Sequence, residues 1–332
     1  MLYILELSKM LIQDVIALLK KNYNESVPES SIEILRDNNQ RTIAKIDNNN
    51  NNTWVLRVYP TDSCHYQGLP VKSAVLNFLE HNNYPSPRIV KTTEGEYIAT
   101  DSSRRTILIT YIEGKEADCS QPSLHAIGCS LGHLHSIKLS VDNDVFLSDS
   151  LHSPSQQIQK SINELSRISN KVLNDTKQAY DDFMSSLNQL DALENTPKTI
   201  IHTDPCTENA VISKTGEAIF IDWDDAGIGH TLIDLGYLLC TSESDQEFTP
   251  NLRPTPDRIK VIIDGYRQYR SLTTIEQETL VHGIRFSATL YGANHLVKFI
   301  EGSVNELEWK WWWARCKAAT ETSNMALQYF NT

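Results

Sequence analysis

Residues 200–224, IIHTDPCTENAVISKTGEAIFIDWD, set His202, Asp204, Asn209 and Asp222 between apolar runs too short for helices. Such runs read as buried strands, so the polar residues at their ends are presented together. Lys214-Thr215-Gly216-Glu217 supplies the turn of a hairpin between 210–213 and 218–221, which predicts that Asp222 returns beside Asn209 and Asp204. Three oxygen-bearing side chains then converge. Two of them suit a hard divalent ion such as Mg²⁺, which takes one or two protein oxygens alongside phosphate oxygens and keeps several waters. The third, Asp204, is left to act as a base.

The spacing Asp-x₄-Asn, followed at the end of the next strand by another Asp, is that of protein kinases. There a catalytic-loop Asp takes the hydroxyl proton, while the Asn and the later Asp hold the metal. The loop here is His202-Thr203-Asp204-Pro205-Cys206-Thr207-Glu208-Asn209, and residues 221–239 read IDWDDAGIGHTLIDLGYLL. Together they resemble the aminoglycoside phosphotransferase and choline kinase superfamily. Its hallmark is an H-G-D-x₄-N loop, then hydrophobic-Asp-Trp-Asp/Glu, then Asp-Leu-Ala.

The resemblance implies an ATP-dependent kinase that moves the γ-phosphoryl group to a hydroxyl of a small-molecule acceptor. Asp204 is then the catalytic base or hydroxyl-orienting group, Asn209 and Asp222 hold Mg²⁺, and His202 and Asp234 support the loop through hydrogen bonds. Asp224 and Glu208 are candidate acceptor contacts. Thr203 stands where the family usually has Gly, which predicts a different bend of the loop or a different contact with substrate.

The elements that must position these residues follow from the patterning. Met10, Leu11, Val15, Leu18 and Leu19 recur at helical spacing, with Ser8 as a possible N-cap. Runs 31–36, 41–46 and 53–59 are rich in β-branched and aromatic residues and read as successive antiparallel strands, the Asn tract 48–52 being a hairpin loop. A helix over 70–82 follows, and 88–91, 96–100 and 106–112 complete the sheet. From Pro122 the period becomes helical, with Leu124, Ile127, Leu131 and Leu134 on one face; Leu131-Gly132-His133-Leu134-His135 resembles the family's Leu-x-x-Leu-His signature, and His135 reads as a core histidine. Residues 154–193, where the family inserts acceptor-shaping helices, and 255–269, 274–300 and 305–330 are also helical.

The expected fold class is therefore α+β, a two-lobe protein-kinase-like fold. Residues 1–113 form an antiparallel-sheet nucleotide lobe including the hinge, and residues 114–332 a larger, mostly helical catalytic and acceptor lobe. By the resemblance, the hinge is Ile107 to Gly114, with backbone groups of Thr110 and Ile112 meeting the adenine.

The nucleotide grip departs from the family. Arg57 occupies the position of the usual phosphate-binding Lys, and Lys72 that of the Glu that orients it. Arginine keeps the charge but is longer, planar and always protonated. Glu80 lies eight residues beyond Lys72, about 12 Å along the helix, and cannot substitute. If Arg57 has taken over phosphate binding, Lys72 points away or adds a second positive contact. The alternative to catalysis is a pseudokinase that binds a nucleotide or metabolite as a regulator; intact Asp204, Asn209 and Asp222 oppose it.

Composition bounds the partners. The 332 residues are 40% hydrophobic and 22% charged, as in ordinary globular proteins, and the formal net charge of −12 argues against nucleic acid and against an anionic membrane surface. Six cysteines show neither metal spacing nor a disulfide framework and read as reduced thiols. Glu6, Lys9 and Asp14 interrupt the apolar N-terminus, which reads as neither signal peptide nor membrane span, so a cytoplasmic location is expected. Trp309, Trp312 and Trp313 share one helical face; packing explains that spacing, although aromatic faces also bind cationic nitrogen. Glu301, Glu306 and Glu308 nearby are either amine partners or a solvated acidic face.

Overall fold

The computed structural model describes residues 10–48, 52–139, 152–190, 193–241 and 254–331, and the chain divides into two compact units. The first, built from residues up to Glu113 together with Ile221–Asp225, rests on one antiparallel sheet. Strands β1 (Ile32–Asp37), β2 (Thr42–Asn48), β3 (Asn52–Pro60), β4 (Ile89–Val90), β5 (Ala99–Thr100) and β6 (Arg104–Thr110) pair in the order β1-β2-β3-β6-β4, with β5 also on β6. Helix α1 (Ile12–Tyr23) lays Val15, Leu18, Leu19 and Tyr23 against Ile46, Leu56, Val58 and Leu108, which is the core its apolar stripe requires. Its start is held by Asp14, whose carboxylate accepts the Leu11 N–H at 3.0 Å; Ser8, the expected cap, lies outside the described residues, as do 49–51 of the Asn tract.

Strand β3 sorts its side chains by the period of two. Leu56 and Val58 join the apolar cluster beneath α1, so Arg57 and Tyr59 emerge on the opposite face. Helix α2 (Leu69–His81) buries Val75, Leu76 and Leu79, and with them Lys72. A buried lysine among apolar neighbours demands a counter-charge.

The second unit is mainly helical: α3 (Gln121–Ser136), α4 (Pro154–Arg167), α5 (Asn174–Gln189), α6 (Thr231–Thr241), α7 (Pro256–Tyr266), α8 (Thr274–Ile300) and α9 (Glu306–Phe330). Two small sheets accompany them. One orders β10 (Ala218–Phe220), β9 (Ala210–Ile212) and β7 (Lys115–Glu116), and the other pairs β11 (Gly227–His230) with β8 (Lys198–Ile201). Helices α3 and α7 touch backbone to backbone: a Cβ at Gly132 would lie 2.4 Å from the Tyr266 carbonyl, and one at Gly265 2.3 Å from the His125 carbonyl. That seam brings the Tyr266 hydroxyl to 3.0 Å from His135 Nδ1.

Trp309 and Trp312 are buried, and Trp312 stacks on Tyr291 with centroids 4.9 Å apart, so packing occupies these rings. Trp311, off their face, is buried too, with the Arg315 guanidinium 3.5 Å from its centre. Glu301, Glu306 and Glu308 pair with Arg167, Lys310 and His295, the first two of them on the exposed surface. All six cysteines are thiols. Among the described residues no helix is long and apolar enough to cross a membrane.

One segment departs from the division at 113/114: Ile221–Asp225 associates with the first unit. The cause is Trp223, 1% exposed and packed edge-to-face on Tyr84 at 6.0 Å, which anchors the segment and leaves the aspartates on either side of it to the cations of that unit.

Candidate active site

In the second unit, β8 runs into His202-Thr203-Asp204, and Asn209 immediately precedes β9. The Asn209 amide closes the loop, its Nδ2 donating to the Asp204 carbonyl at 3.1 Å and to Asp204 Oδ2 at 2.8 Å. Asp204 Oδ1 is buried without a hydrogen-bond partner among the described residues. The loop is pinned from α6 by Asp234, 0% exposed, which accepts the His202 N–H at 2.7 Å and the Thr203 N–H at 2.8 Å, one on each oxygen. His135 Nε2 lies 3.3 Å from the same carboxylate. Burial holds His135 below its ordinary pKa, so the neutral ring donates from Nε2 to Asp234 and accepts the Tyr266 O–H at Nδ1. The His202 ring is buried beside Phe220, with centroids 5.1 Å apart.

Two backbone positions here are unusual. Thr203 has φ 75° and Asp222 φ 61°, in the left-handed region that side chains disfavour. Thr203 thus holds a side chain in a conformation that glycine takes freely. Glu208 is exposed and accepts the Thr207 hydroxyl at 2.9 Å. Burial first, then the charges of Asp204 and Glu208, push the Cys206 thiol up, so Cys206 is a protonated wall of the loop. Tyr237 is likewise pushed well above the usual range for a phenol by burial and then by Asp204.

In the first unit the charged residues form one cluster. Arg57 Nη1 donates to Asp222 Oδ1 at 2.7 Å and to Asp224 Oδ1 at 3.0 Å. Lys72 and Arg41 pair with Asp224 as well, Tyr59 donates to it at 3.2 Å, and Arg41 stands 3.5 Å from Asp222 Oδ1. Asp224, a candidate acceptor contact from the sequence, has a side chain only 7% exposed and is taken up by these partners. Burial raises its pKa, but Lys72 and Arg57 outweigh it and hold the carboxyl far below the usual range; Asp222 is lowered in the same sense, chiefly by Arg57. Burial opposes the Arg57 charge, and Asp224 and then Tyr59 and Asp222 overcome it. Three cations face two carboxylates, which leaves one positive charge in excess. Lys72 therefore turns inward rather than away, and the carboxylate absent from α2 is supplied by Asp224.

At the hinge, the Thr110 N–H donates to the Arg88 carbonyl at 2.8 Å, so it is not available to an adenine, while the Arg88 N–H goes to Thr110 Oγ1 rather than to the backbone. Ile112 follows the end of β6 and is half-buried.

Each of the two residues expected to hold Mg²⁺ keeps an oxygen suited to a hard cation. Asn209 spends Nδ2 on Asp204 and retains Oδ1, and Asp222 meets both arginines through Oδ1 and retains Oδ2. Each offers one hard oxygen, which suits an ion otherwise held by phosphate and water. Among the described residues no three His, Cys, Asp or Glu side chains form a dedicated metal cage.

The sequence did not disclose Arg41, Tyr59 or Tyr237, nor Asp224 as the counter-charge. A signal existed: two cations on a strand and a helix of one unit require a buried carboxylate, and IDWDD carries one beyond Asp222.

The family model for the phosphotransferase enzyme family, APH, matches residues 32–272. No curated protein sequence matches. Among solved structures, the amicoumacin kinase hAmiN in complex with AMP-PNP, Ca²⁺ and Ami is 14% identical with a TM-score of 0.62, over 95% of this chain and 93% of that one. The Plasmodium vivax ethanolamine kinase is 15% identical with a TM-score of 0.62, over 93% and 88%. The ADP-bound aminoglycoside phosphotransferase APH(2'')-Ib is 14% identical with a TM-score of 0.63, over 96% and 99%. At these identities the likeness establishes a shared kinase-like fold.

Proposed function

The chain belongs to the phosphotransferase enzyme family, and from that premise we propose that it transfers the γ-phosphoryl group of ATP to a hydroxyl group of a small molecule. The observation that carries this reading is the Asp204–Asn209 pair, a carboxylate steadied by an amide at 2.8 Å with its second oxygen buried and unpartnered. A base held this way meets the geometric demand for proton removal in phosphoryl transfer.

The acceptor hydroxyl gives its proton to Asp204 as its oxygen forms the new bond to the γ-phosphorus and the bond from that phosphorus to the β–γ bridging oxygen breaks. Asp234 keeps the loop backbone in register for this step through the amides of His202 and Thr203. Asn209 Oδ1 and Asp222 Oδ2 are the atoms that would hold Mg²⁺. When bound, the metal neutralises developing charge on the phosphate oxygens. The excess positive charge of the Arg57, Lys72 and Arg41 cluster would draw the nucleotide phosphates. The carbonyl of Thr110 and the backbone groups of Ile112 are proposed for the adenine.

A regulator that never turns over its nucleotide is the reading that Arg57 and Lys72 invite from sequence. Asp224 supplies the missing member of the charge pair, so that motive falls away, and catalysis is the reading we adopt. The acceptor class we favour is a small amino alcohol, aminoglycoside or similar hydroxyl compound, in keeping with the acidic chain. An ATP-consumption screen over aminoglycosides, amino alcohols, sugars and nucleosides, with and without Mg²⁺, tests it. Mg²⁺-dependent consumption with one acceptor class is expected; none with any would overturn it.

A further inference from the structure

A cavity in the helical unit, of 570 Å³, lies where α3 ends and β8 begins, and Lys138, Lys198, Thr199, Thr231, Tyr269 and Arg270 contribute to its wall. Among the described residues no carboxylate lines it, in a chain whose net charge is −12. Neither Lys138 nor Lys198 has an ion-pair partner among the described residues. Arg270 is 13% exposed and half-committed, with Nη2 on Glu276 at 2.6 Å. Tyr269 forms a fixed wall because its ring stacks on His133 at 4.9 Å. The Ser136, Thr199 and Thr231 hydroxyls already donate inward, to the His133 carbonyl, the Ile137 carbonyl and Glu276, so the donors open to a ligand are the cationic ones. Cations spaced around an uncompensated cavity of this size suit a small molecule with several negative charges.

The cavity is wired to the catalytic loop. His135 also lines it. Through its ring, Tyr266 on one side connects to Asp234 on the other, and Asp234 carries the His202 and Thr203 amides. Arg270, placed over the Tyr266 ring at 5.9 Å, touches the beginning of that chain, and Glu276 bonds both Arg270 and Thr231, the first residue of α6.

We propose that this cavity binds a small phosphate-bearing polyanion, distinct from the nucleotide of the catalytic reaction, and that its occupancy tightens the Asp234 anchor of the catalytic loop. The inference stands apart from the transfer reaction and is tested without turnover. Pyrophosphate is titrated calorimetrically into the full chain in the presence of saturating AMP-PNP, and hydrogen exchange of the loop amides is followed in parallel. The parent should bind, the double variant Lys138→Glu/Lys198→Glu should bind at least ten-fold more weakly, and Lys20→Glu/Lys171→Glu, with the same change of net charge, should bind within about two-fold of the parent. Exchange at His202 and Thr203 should slow on saturation in the parent only. Absence of binding by the parent, or equal weakening in both double variants, would overturn the site; binding that leaves exchange at these two amides unchanged would overturn its link to the loop.

Discussion

Lys72 Nζ and Arg57 Nη1 bond the same oxygen, Asp224 Oδ1. Two cations from different elements, α2 and β3, are thereby held together by a carboxylate 152 residues after the lysine. Their mutual repulsion is offset only while Asp224 is charged. Removing one partner of a buried ion pair strands the other, at a cost of about 3–5 kcal/mol. Asp224→Asn should lower unfolding free energy by that order in urea titrations. Adding Lys72→Met should recover part of the loss, a coupling that a double-mutant cycle measures; strictly additive effects would refute the pairing. Lys72→Glu sets a second carboxylate against Asp224 and should destabilise rather than repair the site.

Asp204→Ala should lower turnover by about 10²–10⁴-fold, the usual contribution of a general base, with nucleotide affinity within a few fold of the parent. Steady-state kinetics with the acceptor found by screening, together with AMP-PNP binding, separate the two quantities. Parent-like turnover would remove Asp204 from the chemistry.

Asn209→Ala and Asp222→Asn should both weaken Mg²⁺-dependent nucleotide binding. Only Asn209→Ala should also disturb the Asp204 side chain, since its amide is the group bonded there. Calorimetry with AMP-PNP across a Mg²⁺ series reads this, and an unaltered Mg²⁺ dependence in both variants would put the metal elsewhere.

Thr203 carries a β-branched side chain at φ 75°. The left-handed conformation costs a side-chain-bearing residue roughly 1–2 kcal/mol and glycine almost nothing, although glycine gives some of that back through its freer unfolded chain. Thr203→Gly should leave the Asp234 bond to its N–H in place and raise stability by about 0.5–1 kcal/mol, read as a higher thermal midpoint. A lower midpoint would mean that the threonine side chain itself supports the loop.

Burial lowers the pKa of His133, His135, His230 and His295. A histidine whose folded-state value lies below the unfolded value of about 6.5 binds fewer protons when folded, so stability is full above that pH and is lost as pH falls through it. The depressed Asp222 and Asp224 act in a lower window, sustaining stability above about pH 4 and losing it only below. Melting temperatures should therefore fall between pH 7 and pH 5, and His135→Gln should flatten part of that slope. A pH-independent melt over this range would contradict the neutral His135.

The hairpin that follows the candidate catalytic loop was readable in the sequence because its strands are close along the chain: Ala210 pairs with Phe220. The first three strands as antiparallel neighbours and the helix over 274–300 were readable from period alone, whereas the placing of β6 between β3 and β4 was not. What escaped was long-range charge. Nothing local to Lys72 or Asp224 says that they meet, and a family template that expects an acid on α2 directs attention away from Asp224, the acid that the IDWD stretch already carries. Arg41 escaped for the same reason, since a loop-end arginine is usually solvated. Trp311 lies off the helical stripe that periodicity selects, and a cation over its ring, rather than an apolar neighbour, covers it.

The glycine seam between α3 and α7 has a consequence for how such a chain can vary over generations. With carbonyls of one helix lying 2.4 Å or less from where a methyl group would sit on the other, neither helix tolerates an independent change at Gly132 or Gly265. Because Tyr266 and His135 ride on those two helices, a change in their spacing would be felt, through Asp234, at the amides of His202 and Thr203. Helices α4 and α5 take no part in that contact, so a substitution on their exposed faces leaves the seam, and with it the hold of Asp234 on those two amides, as it was.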